Sequence, residues 1–252
     1  LAKTFTDKVV IVTGSSSGIG AATAIAFAKE GANVTIVGRN ETKLKSVSEK
    51  CEAFGKKYLV VKADVSSDDE CVRIIESTVE KFGKIDVLVN NAGIAGFGAI
   101  IGGKIMDTYD KIMNTNIRSV VNLTTLATPH LIKTKGNVVN VSSVGGTMTP
   151  RAPFHVYSMS KAAMNHFTKG AASELAPSGV RVNVVSPGPV KTDIIENAGF
   201  PVSWERFAQD TALGRVSEPE EVADLILYLA SDKAKGVTGS NYFLDNGYLV
   251  KS

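Results

Sequence analysis

The stretch Asp7–Gly20, DKVVIVTGSSSGIG, decides the fold. Val9 to Val12 are apolar on both faces of an extended chain, as a strand buried inside a parallel sheet must be, and Thr13-Gly14 ends the run. The residues that follow, IGAATAIAFAKEGA, take helical spacing from about Gly18 and are closed by Gly31. Strand, glycine-rich turn and helix in that order place a helix N-terminus just beyond a strand's carboxyl end. Gly14 permits the tight turn, and Gly18 and Gly20 let backbone come close to a ligand and to the sheet. With Ser16, Ser17 and Ile19 between them, the free N–H groups of the helix start favour a pyrophosphate. The spacing differs from G-x-G-x-x-G, and a turn of this kind taken alone can serve only to redirect the chain.

The same unit repeats outward. NVTIVG is a buried strand and ETKLKSVSEKCEAFG a helix ending in glycine. KYLVVKADV, DDECVRIIESTVEKFG and IDVLVNNAG follow, then a long helical stretch from about Asp107 to Leu131. GNVVNVSS, a helix from about Val156 to Leu175, VRVNVVSPG, a helix opening at Pro219, and NYFLDNG complete the series. Seven strands alternating with helices predict an α/β, doubly wound Rossmann fold, its seven-stranded parallel sheet flanked by helices. No linker or internal repeat divides the chain, so residues 1–252 read as a single dinucleotide-binding and catalytic domain. The longest stretch without a strand, VKTDIIENAGFPVSWERFAQDTALGRVS, is expected to hold a substrate loop over about 191–214, with the sole tryptophan, Trp204.

Composition narrows the partners. The 44% hydrophobic and 21% charged content is that of an ordinary globular protein. The net charge of +3 is scattered, with no basic block for nucleic acid or membrane, so neither is expected as a partner. Cys51 and Cys71 read as reduced structural thiols, and His130, His155 and His166 are not at ligand spacing, so no metal is expected. Lys3, Asp7 and Lys8 interrupt any apolar run before the first strand, and no run approaches a membrane span, which makes a cytoplasmic location the expectation.

A dinucleotide of the NAD type is held after the second strand by an acidic residue on its ribose hydroxyls. Here that strand ends Val37-Gly38-Arg39-Asn40, with no carboxylate to repel a 2′-phosphate and a planar cation suited to hold one. NADP(H) rather than NAD(H) is therefore the expected cofactor.

TGSSSGIG at 13–20 resembles the TGxxxGxG motif of the short-chain dehydrogenase/reductase family, and the likeness continues down the chain. Asp64, followed by Val65 in ADVS, resembles the family residue that contacts the adenine amino group. Asn90-Asn91-Ala92-Gly93 matches its NNAG motif, which supports the sheet and lines the cofactor. Asn116 in NTNIRS, Ser143 in NVSSVGG, Tyr157-x-x-x-Lys161 in YSMSK and Pro187-Gly188, with Val190 and Thr192, in SPGPVKT fall in the family's order. The resemblance implies that Asn116, Ser143, Tyr157 and Lys161 are catalytic and that the Pro187-Gly188 turn fixes the nicotinamide. It also implies a homotetramer, with the Tyr157 helix and its long neighbour paired across one interface. Three positions depart from the pattern. Ser143 lies fourteen residues before Tyr157, one more than is common, which leaves Ser142 as a second candidate. Ser17 stands where many NADP-binding relatives carry a basic residue. LDNG stands where relatives resembling 3-oxoacyl carrier-protein reductases often read DGG, which puts the packing of subunits in question.

The chemistry explains these residue types. Hydride addition to a ketone leaves an alkoxide that must be protonated, and Tyr157 can supply the proton. A free phenol has a pKa of about 10, and Lys161, one helical turn on along the same face, with the oxidised nicotinamide, is expected to lower it. Ser143 can polarise the carbonyl, although a serine there can also cap a turn. By resemblance Asn116 anchors a water relay to the lysine. His155 is read as a surface or substrate-lining histidine. Met148, Phe154, Ile194, Ile195, Phe200 and Trp204 are expected to form an apolar substrate wall. The reading is a ketone reductase acting on a small-molecule carbonyl or alcohol. The substrate class stays open among a lipophilic ketone, a 3-oxoacyl thioester and a xenobiotic carbonyl. The alternative, a catalytically silent NADP-binding regulatory protein of the same fold, would have been favoured by loss of Tyr157, Lys161 or Ser143. A nucleotide-sugar epimerase fits less well, since such relatives usually carry TGxxGxxG and a longer C-terminal region.

Overall fold

Alternation along the first strand, β1 (Val9–Thr13), explains why it had to be apolar throughout: Val10 and Val12 enter one core and Ile11 the other. The computed structural model describes residues 3–101, 103, 105–148, 154–199, 201 and 203–251. In it β1 is followed by α1 (Gly18–Lys29), β2 (Asn33–Gly38), α2 (Glu41–Glu52), β3 (Tyr58–Lys62), α3 (Asp68–Phe82) and β4 (Val87–Asn90). Next come α4 (Ile105–Met113), α5 (Ser119–Thr134), β5 (Asn137–Val141), α6 (His155–Leu175) and β6 (Arg181–Pro187). A short α7 (Trp204–Gln209), then α8 (Pro219–Ala230) and β7 (Asn241–Leu244), complete the chain. The seven strands form one parallel sheet, as the sequence led us to expect, and their order is β3-β2-β1-β4-β5-β6-β7.

On one face of the sheet α1, α2 and α8 bury Phe27, Leu44 and Ile226; on the other α3, α5 and α6 bury Ile74, Leu123 and Leu175. Each such buried side chain contributes up to roughly 1.5–3 kcal/mol relative to exposure. Phe27 also meets Phe5 edge to face at 4.8 Å, tying the chain before β1 to α1. The strand order reverses direction between β1 and β4, which pair from Val10↔Val87 to Val12↔Val89. Their connections leave to opposite sides, and a crevice opens beyond their carboxyl ends.

Three local features were not apparent in the sequence. The long helix around Asn116 is interrupted by a π turn at Asn114–Arg118 between α4 and α5. The strandless stretch after β6 holds a 3₁₀ turn at Glu196–Ala198 as well as α7, and its stem is pinned by an isolated bridge between Val190 and Ser217. That bridge flanks the stretch expected over about 191–214. At the C-terminus Asn246 adopts φ 51, the left-handed conformation a glycine would take most readily, and its Nδ2 donates to Ser217 Oγ at 2.8 Å. Asparagine in LDNG thus keeps the turn and adds a bond. No helix among the described residues is long and apolar enough to cross a membrane.

Candidate active site

Beyond the carboxyl ends of the strands lies a cleft of about 1090 Å³. The catalytic and cofactor-binding candidates read from the sequence border it except Gly20, Asn90 and Asn116, which stand behind its wall.

One end is built on the glycine turn. Gly14 and Gly18 take φ of 64° and 53°, conformations that L side chains rarely adopt. A Cβ on Gly20 would lie 2.3 Å from the Gly14 carbonyl oxygen, so helix and strand can approach only without it. Asn91 fastens the turn from β4: its Nδ2 donates to the carbonyls of Thr13 (2.9 Å) and Gly14 (3.2 Å), while the Asn91 and Ala92 N–H groups both donate to Thr13 Oγ1 at 3.0 Å. Ser17, the N-cap of α1, makes no side-chain capping bond, and the first turn holds no acidic residue. By contrast Asn40 and Ser67 cap α2 and α3, whose first turns are acidic. The N–H groups and positive dipole end of α1 are thus left for an external anion. This cradle fits the pyrophosphate of a dinucleotide.

Arg39 projects beside it, 68% exposed and 3.6 Å from the Asp64 carboxylate. So long and exposed a pair is worth little, which leaves the guanidinium available to a ligand. Burial would raise the Asp64 pKa, but hydrogen bonds from the Ser66 N–H and hydroxyl, with Arg39, outweigh it and hold the carboxyl below its usual range.

The other end is built on β5 and α6. Lys161, 3% exposed, donates from Nζ to the Val141 carbonyl at 2.9 Å and stands 5.7 Å from the centre of the Tyr157 ring. The Ser143 hydroxyl accepts from Gly145 N at 3.1 Å, so it caps a turn, and it shares the cleft wall with Tyr157, close enough to favour the phenolate. Ser142, the other candidate, is spent on the Lys161 carbonyl at 3.1 Å. Burial pushes Lys161 down to about 8 and pushes Tyr157 up, the latter against the opposing influence of Ser143. The expected lowering of Tyr157 by Lys161 is therefore absent in the protein alone, because loss of water around the phenol dominates and the ammonium bonds Val141.

Asn116 is fully buried in the π turn. Its Oδ1 accepts from Ile94 N at 2.9 Å, and its Nδ2 donates to Ile94 O and to Ser160 Oγ, both at 3.0 Å. The side chain is thus a tie between the NNAG segment and α6. Sequence reasoning missed Ser160; its signal is a small polar residue directly before Lys161. It also missed a buried chain in which Asn90 donates to Thr124 and to Asn140, and Asn140 donates to Thr168.

Of the expected apolar wall, Met148, Phe154, Ile194 and Ile195 border the cleft, and Phe154 is backed edge to face by Phe97 at 4.9 Å. Trp204 does not border it. Its ring packs on Phe207 at 6.0 Å, three residues along α7, and Phe207 reaches the cleft instead, with Tyr248. Phe200 lies outside the described residues. His155 does not border the cleft either, since two residues along a helix point about 200° apart and Tyr157 takes the inward side.

Comparison with known proteins places this arrangement. Residues 14–249 match the family described as enoyl-(acyl carrier protein) reductase. The 3-oxoacyl-[acyl-carrier-protein] reductase FabG of Thermotoga maritima is 38% identical over 96% of this chain and 98% of its own. The chain belongs to the short-chain dehydrogenase/reductase family. An A-factor type gamma-butyrolactone 1'-reductase of Streptomyces virginiae is 36% identical over 97% of this chain and 96% of its own. Among solved members of the family, one from Caenorhabditis elegans of unknown function, with cofactor, superposes with a TM-score of 0.93 at 38% identity, covering 98% of this chain and 97% of that one. One from Burkholderia cenocepacia in complex with NADP gives 0.92 at 30% identity, covering 98% and 100%. As a member of this family the protein is an oxidoreductase acting on a carbonyl or its alcohol.

Proposed function

We propose that this protein is an NADP(H)-dependent ketone reductase in which Tyr157 is the acid, Ser143 a second donor to the carbonyl oxygen, and Lys161 the group that restores the proton. The observation that carries the reading is the Ser143–Tyr157 hydroxyl pair at the cleft, backed by a buried lysine. The bound dinucleotide would supply the hydride, its pyrophosphate on the Gly14–Gly20 turn and its 2′-phosphate at Arg39 and Asn40.

The chain's own part is to hold and move a proton. Two hydroxyls converging on one point can both donate to a carbonyl oxygen and orient its carbon. Negative charge growing on that oxygen makes it a far stronger base than a phenolate, so the proton passes from Tyr157 Oη to it as the new C–H bond forms. A Tyr157 pKa raised by burial keeps the phenol protonated until that moment. The phenolate then left behind faces the Lys161 ammonium, whose lowered pKa suits it to return a proton. Ile194, Ile195, Phe154 and Met148 supply an apolar surface for the rest of the ketone.

Assembly as a homotetramer is part of the proposal. Val121 and Ile132 on α5 and Met159 on α6 are each about 40% exposed and offer apolar surface to a second subunit. Light scattering giving a monomer would remove it. For the activity, a panel of ketones is followed by NADPH absorbance with wild type and Tyr157→Phe. Turnover that survives the substitution would overturn the assignment of the acid.

A further inference from the structure

Lys43 in the first turn of α2 and Asp193 in the segment after β6 are 150 residues apart in sequence, yet Nζ and Oδ2 meet at 2.7 Å. The segment carrying Asp193 is seated on the glycine turn from the opposite side: a Cβ added to Gly18 would lie 2.9 Å from Thr192 Cγ2. From β6 this segment therefore runs past the glycine turn and is pinned to α2 beyond it. The Lys43 backbone is anchored in the α2 cap, where its N–H donates to Asn40 Oδ1 at 3.0 Å. Neighbouring Lys191 is paired with Glu218 rather than with Asp193. Both members of the pair border the main cleft and also a side cavity of about 340 Å³ bounded by α1 and α2. The bridge thus spans the place where the two openings meet, beside the glycine turn.

We propose that Lys43 and Asp193 form a clasp that retains the dinucleotide, the pair holding the segment after β6 against the glycine turn so that cofactor leaves only after the bridge opens. This rests on the cofactor reading above. Both are positioning residues. The side chains are 50% and 41% exposed, so the pair is screened by solvent and salt, and opening it is expected to change a rate by about 1.5- to 5-fold. A clasp of that strength delays release without trapping the cofactor.

Dissociation of NADPH and of NADH, followed by fluorescence after a chase, tests this in wild type, Lys43→Gln, Asp193→Asn and the double variant. Neutral substitutions at half-exposed side chains leave the core intact, and thermal melts confirm folding. The clasp predicts that each single variant releases both dinucleotides about 1.5- to 5-fold faster, and that the double variant is no faster than either. It also predicts that added salt accelerates wild type more than the variants. Unchanged or additive rates overturn it, and so does an effect confined to NADPH, which would make Lys43 a contact of the 2′-phosphate. Wild type that binds neither dinucleotide overturns the cofactor assignment itself, whereas binding with unaltered release overturns the clasp alone.

Discussion

Asn116 in the π turn donates from Nδ2 to Ser160 Oγ at 3.0 Å, and Ser160 Oγ in turn donates to the Tyr157 carbonyl at 2.7 Å. Because the same amide also pairs with both backbone groups of Ile94, one side chain joins the segment after β4 to the helix carrying the proposed acid. Removing it would leave part-buried backbone groups and the buried Ser160 hydroxyl without this partner. Asn116→Ala is therefore expected to destabilise the protein by about 2–4 kcal/mol in urea unfolding, and Ser160→Ala by about 1 kcal/mol. The two share a bond, so the double variant should lose less than the sum. Full additivity would show that the tie contributes nothing.

The hydroxyl pair makes different demands on its members. Tyr157→Phe keeps the ring and its packing but removes the only proton that the phenol can give, so kcat is expected to fall about 10²–10⁴-fold while the NADPH dissociation constant stays within about twofold. Ser143→Ala removes a donor that helps hold the oxyanion, with an expected loss of about 10²–10³ in kcat. Ser142→Ala serves as the comparison. Its hydroxyl is committed to the Lys161 carbonyl, so it should cost stability more than rate. A larger kcat loss for Ser142→Ala than for Ser143→Ala would reverse the choice between the two serines.

Lys161 should reveal itself in the pH dependence of stability. Burial lowers its pKa from 10.5 to about 8, so between those values the unfolded chain holds a proton that the folded protein has released. Stability therefore rises with pH across that window, and the cost of charging the buried amine is fully present below about pH 8. Relative to Lys161→Met, whose side chain cannot titrate, wild type is expected to gain stability as the pH rises from 8 toward 10.5. Guanidinium unfolding of both proteins at the two ends of that range gives the difference directly. A constant gap would mean that the lysine is not held against its charge. Loss of turnover in the same variant, despite any relief of stability at neutral pH, would be the signature of a group kept for function rather than for the fold.

The strands and the glycine turn were legible in the sequence because both obey local rules. A strand buried on two faces has to be apolar at nearly every position, as Val9 to Val12 are, and a turn without Cβ atoms has to be glycine. Gly18 as the start of α1 was recovered for that reason. What stayed hidden depends on partners far along the chain. The π turn at Asn114–Arg118 has no signature of period, because one extra residue per turn over five residues leaves the apolar pattern nearly intact. The place of Phe207 rather than Trp204 at the cleft follows from the angle at which α7 docks, which hydrophobicity alone does not encode. The direction of the Tyr157 pKa was missed for a related reason. Spacing shows that Lys161 is near, but not that Val141 takes its hydrogen bond or how much water the phenol loses.

Arg39 carries the choice of dinucleotide. Its guanidinium is mostly exposed and only loosely paired with Asp64, so freeing it costs little, and a bound 2′-phosphate would gain charge-assisted hydrogen bonds worth about 1.5–3 kcal/mol. That range corresponds to a factor of about 10–150 in affinity. Arg39→Ala is expected to raise the KM for NADPH by that factor and to leave the KM for NADH unchanged, with little effect on kcat for either. Ser17 offers no second cation on the other side of the turn, so no neighbouring charge should mask the loss. Arg39→Asp goes further, placing a carboxylate where it repels the phosphate and can accept from ribose hydroxyls, and should invert the preference toward NADH. An NADPH to NADH ratio that stays the same in Arg39→Ala would show that the selectivity resides elsewhere, and the 2′-phosphate would then have to be sought at the α2 N-terminus itself.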